Sequence, residues 1–333
     1  MFPRILAVVL ALPLGAMAPL AAAELSVIEL AWGYDPEDNV LGAPVFEGAS
    51  APPIRFEGLK VERDPQADFV RRIPGGFVRA LRYRLAPGLD LGALLTTSLR
   101  SEAGTLGLRS GPENEAVVVR GKLLDPFVEN RGIFGGAILF YSYFAVELEI
   151  VWPDGRTQTL AGSFHEMVTR VNGGFGAKDE AGEATARLLV NAAQEIVARI
   201  ARDHLAAPVS PAVKDLIPAL AASGADDRYP SLRRLGLSGL PEAAPMLLQL
   251  MAREKEEDDR SQVIGALASL RDPEAAAKLA AAYRQDDAED CRFAMLKAFA
   301  YLGGEKAKGR IRELGLADED SANSRLARYL TGR

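Results

Sequence analysis

Asp258-Asp259-Arg260 has a counterpart 32 residues before it, Asp226-Asp227-Arg228, and another 32 residues after it, Asp290-Cys291-Arg292. An apolar residue recurs at the same interval, as Leu235, Leu267 and Phe299. Aspartate at the start of a unit is a preferred helix N-cap, and apolar residues follow it at helical spacing. Pro241-Glu242 and Pro273-Glu274 then predict a second helix with proline in its first turn. Each unit is therefore predicted to be a helix pair.

Tandem helix pairs bury their apolar stripes only by stacking, so residues 208–333 are predicted to form an all-α solenoid of about four pairs. The unit resembles the short HEAT-like repeats first described in phycobilin lyases, in which an aspartate and an arginine recur at the start of the first helix. The resemblance covers roughly residues 210–331. It implies a scaffold or an adaptor, and in a few cases a lyase.

The recurring arginines Arg228, Arg260 and Arg292 admit two interpretations. They could form an anion-binding ladder, or each guanidinium could bridge an aspartate of a neighbouring repeat while its stem covers apolar surface. The aspartates at the matching positions are Asp226, Asp258 and Asp290. We expect the arginines and aspartates of the ladder to form structural ion pairs rather than an anion-binding site, because an arginine at the same position of successive repeats can reach an aspartate of the next repeat.

Residues 24–207 differ in composition from the solenoid and are predicted to form an α+β domain. Strands are predicted at 25–31, 54–61 and 116–124, and helices at 89–104 and 178–205. Between them, residues 137–151 and 157–171 read as a hairpin that turns at Asp154-Gly155. The expected architecture is an antiparallel or mixed sheet packed by helices.

This element order, with Ser-Leu-Arg-Ser-Glu-Ala-Gly at residues 98–104 before a strand, resembles the small periplasmic domains of YajG-like and LptE-like lipoproteins. The resemblance covers roughly residues 50–205 and implies a place at the inner face of the outer membrane, with a role in assembling or transporting envelope components. Those proteins carry a lipid-modified cysteine after their leader. The only cysteine here is Cys291, which is expected to be a small buried hydrophobe of the solenoid.

Residues 1–23 have the layout of a cleaved secretory signal. Arg4 precedes an apolar run over residues 5–20, and Ala21-Ala22-Ala23 precedes Glu24. Prolines and a glycine within the run weaken a membrane-spanning helix, so an uncleaved anchor is the alternative rather than the prediction. We expect a periplasmic mature chain that begins near Glu24.

Motifs for catalysis and metal binding are incomplete in this sequence. With 2 His and 1 Cys, a Cys/His metal centre cannot be assembled, and a net charge of −6 disfavours nucleic acid. His165-Glu166 is followed by Thr169 where a zinc-protease helix needs its second histidine. Ser163 and His165 share a strand face without a carboxylate placed to complete a triad. We expect no enzymatic activity, no metal and no cofactor.

Two glycine-rich segments at the ends of the predicted hairpin are the binding candidates. Their spacing does not match a phosphate-binding loop, and the ends of a hairpin meet at one edge of a sheet. They are predicted either to be mobile loops or to form an apolar contact site for a lipid or a protein partner. The candidate residues are Phe134, Gly135, Gly136, Gly173, Gly174 and Phe175.

Three classes of function follow from these patterns. The first is a non-catalytic periplasmic scaffold or adaptor in cell-envelope biogenesis, which binds protein partners through a solenoid face. The second is an accessory factor that handles lipid or glycolipid, with an outer-membrane component as partner. The third is a lyase-type enzyme, for which only His165, Cys291 and scattered carboxylates could serve.

Overall fold

The computed structural model describes residues 27–30, 41–62, 82–85, 88–132, 138–170, 177–222, 228–286, 288–319 and 321–331. A mixed sheet with helices precedes a run of helices, which confirms the predicted fold class. Several predicted features lie outside the described residues: the leader 1–23, the loop residues Phe134, Gly135, Gly136, Gly173, Gly174 and Phe175, and the first repeat aspartates Asp226 and Asp227. Among the helices that the structure describes, none is both long and apolar enough to cross a bilayer.

The strands of the described ranges are β1 (Val27–Leu30), β2 (Ile54–Phe56), β3 (Lys60–Val61), β4 (Arg82–Leu85), β5 (Val117–Gly132), β6 (Ile138–Val151) and β7 (Thr157–Arg170). Strands β5, β6 and β7 form an antiparallel meander, and β2 and β3 add to the outer edge of β5 in parallel. Strand β1 pairs with β4 in a separate parallel ribbon. The predicted turn at Gly155 is present, with a φ of 85° that suits glycine.

Strand β5 runs beyond its predicted end at residue 124. The pairing with β6 shifts register between Leu124 and Phe127, and Asp125 adopts a φ of 42°. Pro126 cannot donate to the ladder, so a bulge at this point accommodates it, after which the pairing resumes. Strand β4 was not predicted, because a short strand that pairs only with distant β1 leaves little local signal.

Helices α1 (Leu91–Thr105) and α2 (Ala177–Arg199) pack side by side against the sheet. Asp90 caps α1, because its carboxylate accepts from the backbone N–H of Gly92 at 2.9 Å. Alternate residues of β6 are buried, as the alternation of the sequence predicted: Phe144, Val146, Leu148 and Ile150. Helix α2 continues into a π-helical turn at Ile200–His204, which leads to the solenoid.

The solenoid helices are α3 (Pro211–Lys214), α4 (Leu216–Ala222), α5 (Arg228–Ser238), α6 (Ala243–Arg253), α7 (Glu257–Leu270), α8 (Pro273–Tyr283), α9 (Glu289–Leu302), α10 (Gly304–Arg310) and α11 (Ser321–Leu330). The first helices of successive pairs, α5, α7 and α9, pack directly on one another. Leu235, Leu267 and Phe299 are at most 1% exposed, so the repeating apolar position is core.

The repeat aspartates of the described residues, Asp258 and Asp290, do not cap their helices as the pattern predicted. Asp258 and Asp290 lie in the first turns of α7 and α9, whose N-cap residues are Glu256 and Ala288. Each helix thus begins slightly before the predicted cap. A carboxylate in the first turn still stabilises the helix through its dipole.

The ladder arginines pair with carboxylates other than the predicted aspartates. Each guanidinium reaches an acidic residue at the end of its own helix pair: Arg228 binds Glu254, Arg260 binds Asp286 at 2.8 Å, and Arg292 binds Asp318 at 2.9 Å. The partner lies 26 residues after each arginine, so the ion pair forms within one repeat and not with an aspartate of a neighbouring repeat. The ladder therefore ties the end of each pair back to its start.

Candidate functional site

A cleft of about 700 Å³ separates the N-terminal part from the row of first helices. Helix α2 and strand β7 form one side, and α5, α7 and α9 form the other. We call it the interdomain cleft. Its lining comprises Glu166, Ala186, Arg187, Val190, Asn191, Tyr229, Leu232, Arg233, Ser261, Gln262, Gly265, Ala266, Ala268, Ser269, Ala294, Lys297 and Tyr301. The face formed by the first helices is thus partly covered by the chain's own N-terminal part.

One register position of the repeat shapes this cleft. Arg233, Gly265 and Lys297 follow one another at the 32-residue interval, on α5, α7 and α9. The side chains of Arg233 and Lys297 reach across the cleft to the N-terminal part. Gly265 has no side chain, so α7 makes no such contact at this position. A Cβ built on Gly265 meets no atom within 4 Å. The cleft is open because the middle repeat lacks a side chain where its neighbours carry long ones.

Arg233 joins α5 to α2 through a buried polar network. Its Nε donates to Gln194 at 2.9 Å, and its terminal nitrogen donates to Glu195 at 2.9 Å and to Ser269 at 2.9 Å. Gln194 in turn donates to Glu102 of α1 at 3.1 Å. Burial alone would lower the pKa of Arg233, but Glu195, with smaller contributions from Tyr229 and Tyr301, outweighs burial and raises that pKa. The guanidinium is therefore charged and fixed in place.

Lys297 makes the corresponding connection from α9. Its Nζ lies 3.2 Å from the Glu166 carboxylate of β7, and Asn191 of α2 donates to the other carboxylate oxygen at 3.0 Å. Both charged side chains are less than one-fifth exposed. Glu166, which the sequence placed in an incomplete zinc motif, thus serves as an anchor between β7, α2 and α9.

Ser163 and His165 lie together on β7, as their spacing predicted. The His165 Nε2 is 3.3 Å from the Ser163 hydroxyl, and its ring packs on Tyr143 with centroids 4.8 Å apart. Burial, with the charge of Lys297, lowers the pKa of His165 to about 3, so the ring is neutral at neutral pH. No group of three or more potential metal ligands occurs within the described ranges.

The lining of the interdomain cleft combines one exposed aromatic side chain with small and polar residues. Tyr229 stands at the rim and is 46% exposed, the one large hydrophobic side chain with that exposure among the described residues. The lining also includes small residues such as Ala266 and Ala294 and the polar side chains of Ser261 and Gln262. Small apolar surface interspersed with amide and hydroxyl groups suits a ligand that needs both contact and hydrogen bonds.

The sequence carried a signal for part of this site. The Arg233, Gly265, Lys297 series is visible once the 32-residue register is applied, because two cations flank a glycine at one position. The partners Glu195 and Glu166 have no such signal. They are defined only by the way α2 and β7 dock on the helix row.

Comparison with known proteins gives structural similarities of low TM-score and a family match within the helical part of the chain. The chain is similar over part of its length to a minor lipoprotein from Acinetobacter baumannii, at 15% identity, 35% coverage of this chain, 87% of that chain and a TM-score of 0.28. It is also similar to a protein from Xanthomonas campestris of the family DUF330, at 14% identity, 53% coverage of this chain, 93% of that chain and a TM-score of 0.26. No curated protein matches this chain. Residues 213–300 match the family model of HEAT repeats, in agreement with the stacked helix pairs of this part of the chain.

Proposed function

We propose that this protein is a non-catalytic periplasmic adaptor that binds an extended polypeptide segment in the interdomain cleft. The observation that carries the proposal is the open position at Gly265, in the middle of a row of HEAT first helices. HEAT repeats are protein-interaction modules, and their partners commonly lie along such a row. The cleft volume, about 700 Å³, falls within the range of ligand sites.

The lining favours a polypeptide over a lipid. A peptide backbone presents a donor and an acceptor at every residue, and Ser261 and Gln262 provide matching groups on the α7 wall. An acyl chain would instead lie against the ion pairs of Arg233 and Lys297, which it cannot solvate. Exposed Tyr229 supplies the aromatic contact that protein interfaces favour.

The periplasmic location and the role in envelope biogenesis belong to the same proposal. Their support is the leader-like layout of residues 1–23, which ends in Ala21-Ala22-Ala23. N-terminal sequencing of protein purified from the periplasm is expected to find a start within a few residues of Glu24. Intact Met1 on that material would contradict export through a cleaved signal.

The test fills the cleft and leaves the fold in place. Gly265→Leu adds a side chain at a helical position with open space around it, so it should be accommodated without backbone movement. Gly309→Leu is the matched control, because Gly309 also lies in a helix with no atom within 4 Å of its Cβ position, outside the cleft lining. Both variants and the parent protein would be crosslinked in the periplasm and purified.

We expect the Gly265→Leu variant to lose the polypeptides that the parent protein and the Gly309→Leu variant both capture. Circular dichroism should give the same helix content for all of them. Equal capture by the Gly265→Leu variant would refute the cleft as the binding site. Native mass spectrometry that found a bound lipid, displaced by Gly265→Leu, would favour lipid handling instead.

A further inference from the structure

A second polar region lies where α2 ends against the carboxyl ends of α5, α7 and α9. In the part of the chain that the structure describes, the charges that interact here are the guanidiniums of Arg199, Arg202, Arg233 and Arg271 and the carboxylates of Glu195 and Asp203. Four guanidiniums thus face two carboxylates in the described residues, an excess of two positive charges. Partly buried like charges repel, so such a group needs compensation.

Neutral carbonyl groups satisfy part of this cluster. Arg202 donates to the carbonyl oxygens of Leu237 and Ser269, each at 3.2 Å, and so closes the ends of α5 and α7. Arg271 donates to the Leu302 carbonyl at 3.4 Å at the end of α9. Helix carboxyl ends carry partial negative charge and favour these contacts. The partial negative charges of these helix ends do not cancel an excess of two full positive charges.

Arg199 is the least satisfied member of the cluster. One terminal nitrogen donates to the Ala161 carbonyl at 3.1 Å, while its Nε is buried without a hydrogen-bond partner. Burial first, and then the charge of Arg271, lower the pKa of Arg199 to about 10. A buried donor without an acceptor is costly, and native proteins rarely retain one without a reason.

The guanidinium of Arg199 also faces a cavity. Arg199 and Arg271 both line a space of about 240 Å³, together with Ser163, Tyr301 and Glu195, whose carboxylate is paired with Arg233. The neighbouring strand position is Gly162, where a Cβ would lie 2.8 Å from an Arg199 terminal nitrogen. Absence of a side chain at residue 162 therefore makes room for the guanidinium at the cavity wall. We call this space the arginine cavity.

We infer that the arginine cavity binds a phosphate group. Because Glu195 is already paired with Arg233, a phosphate dianion matches the two remaining guanidiniums of the cavity wall, and its oxygens can accept from the terminal nitrogens of Arg199 and Arg271. The hydroxyl groups of Ser163 and Tyr301 line the same space and add donors. The two sites share Tyr301 in their linings, but Gly265 and Tyr229, on which the cleft proposal rests, do not line the arginine cavity.

Inorganic phosphate and a phosphomonoester share this chemistry, and the experiment distinguishes them. The full-length mature protein in phosphate-free buffer would be titrated by calorimetry with inorganic phosphate and, separately, with glycerol 3-phosphate. We expect saturable binding at one site. Equal affinity for the two ligands would identify free phosphate as sufficient, and at least tenfold tighter binding of glycerol 3-phosphate would identify an ester.

Variants connect the binding to the cavity. Arg199→Gln should weaken binding at least tenfold, and Arg271→Gln should weaken it in the same direction. Arg284→Gln is the control, because Arg284 is half exposed and pairs with Glu313 away from the cavity. Arg199→Lys and Gly162→Ala cover the case in which Arg199→Gln fails to fold. The first keeps the charge without the planar fork, the second displaces the guanidinium, and both should weaken binding.

Two results would overturn the inference. The first is absence of saturable binding of either ligand to the parent protein. The second is binding by the folded Arg199→Lys and Gly162→Ala variants that equals binding by Arg284→Gln. Neither result bears on the interdomain cleft, which the Gly265→Leu comparison tests separately.

Discussion

Replacing Arg233 with methionine should be among the most destabilising single changes in this protein. The guanidinium side chain is 12% exposed and its partner Glu195 is 3% exposed, so the substitution leaves a buried carboxylate without its cation. Loss of one member of a buried ion pair costs about 3–5 kcal/mol. Gln194 and Ser269 lose a hydrogen-bond partner as well, which places the expected cost towards the upper end of that range.

Urea denaturation followed by circular dichroism measures this cost as the change in the free energy of unfolding. The control is Arg284→Met, which breaks the pair with Glu313, in which both side chains are 51% exposed. An exposed pair contributes about 0–1 kcal/mol. The double variant Arg233→Met, Glu195→Leu should recover much of the loss, because it removes the orphaned carboxylate. A cost for Arg233→Met no larger than that for Arg284→Met would refute the role of the network.

Further expectations test the core, the titratable groups and the cleft position. Leu267→Ala, at a site 1% exposed, should cost about 2–5 kcal/mol in the same urea assay, and a cost below 1 kcal/mol would refute its place in the core. The His165 imidazole signal in NMR should not titrate between pH 8 and 5, because its folded pKa is about 3, and a midpoint near 6.5 would refute its burial. Since the unfolded pKa is about 6.5, this group makes the protein less stable as pH falls from 6.5 towards 3, and His165→Gln should flatten that dependence. Burial raises the pKa of the Cys291 thiol to about 11, so a thiol reagent at pH 8 should label the protein only after unfolding. Gly265→Ala should raise the free energy of unfolding by up to about 1 kcal/mol through helix propensity, and a loss of stability would show that the space around it is not open.

Much of the helical architecture was predictable because its determinants are local and repeated. The apolar series Leu235, Leu267 and Phe299 occupies the core, and Asp272 caps α8 at Pro273 as the Asp-Pro-Glu pattern indicated. The acidic partners of the arginine ladder were missed, although Glu254, Asp286 and Asp318 also recur at 32 residues. Their signal is visible in the register, but only structure shows which way each guanidinium turns.

Features that depend on how distant segments of the chain pack together were not predictable from one sequence. The pairing of β1 with β4 joins short segments separated by many residues. The contacts of Arg233 with Glu195, and of Lys297 with Glu166, require that α2 and β7 pack on the helix row. Neither partner has a sequence pattern that separates it from an ordinary surface glutamate. The glycine-rich loop candidates, including Phe134 and Phe175, stay predictions.

The anchors at Arg233 and Lys297 have a mechanical consequence. A stack of helix pairs normally bends through small rotations between neighbours, so its curvature adapts to what it binds. Here the pairs on either side of Gly265 are fastened to the same rigid support of α2 and β7. The spacing across the middle pair cannot change unless a buried ion pair breaks. The ligand proposed for the cleft would therefore meet a gap of fixed width, and we expect the stiffness of the stack, rather than the chemistry of its lining, to exclude a thicker ligand.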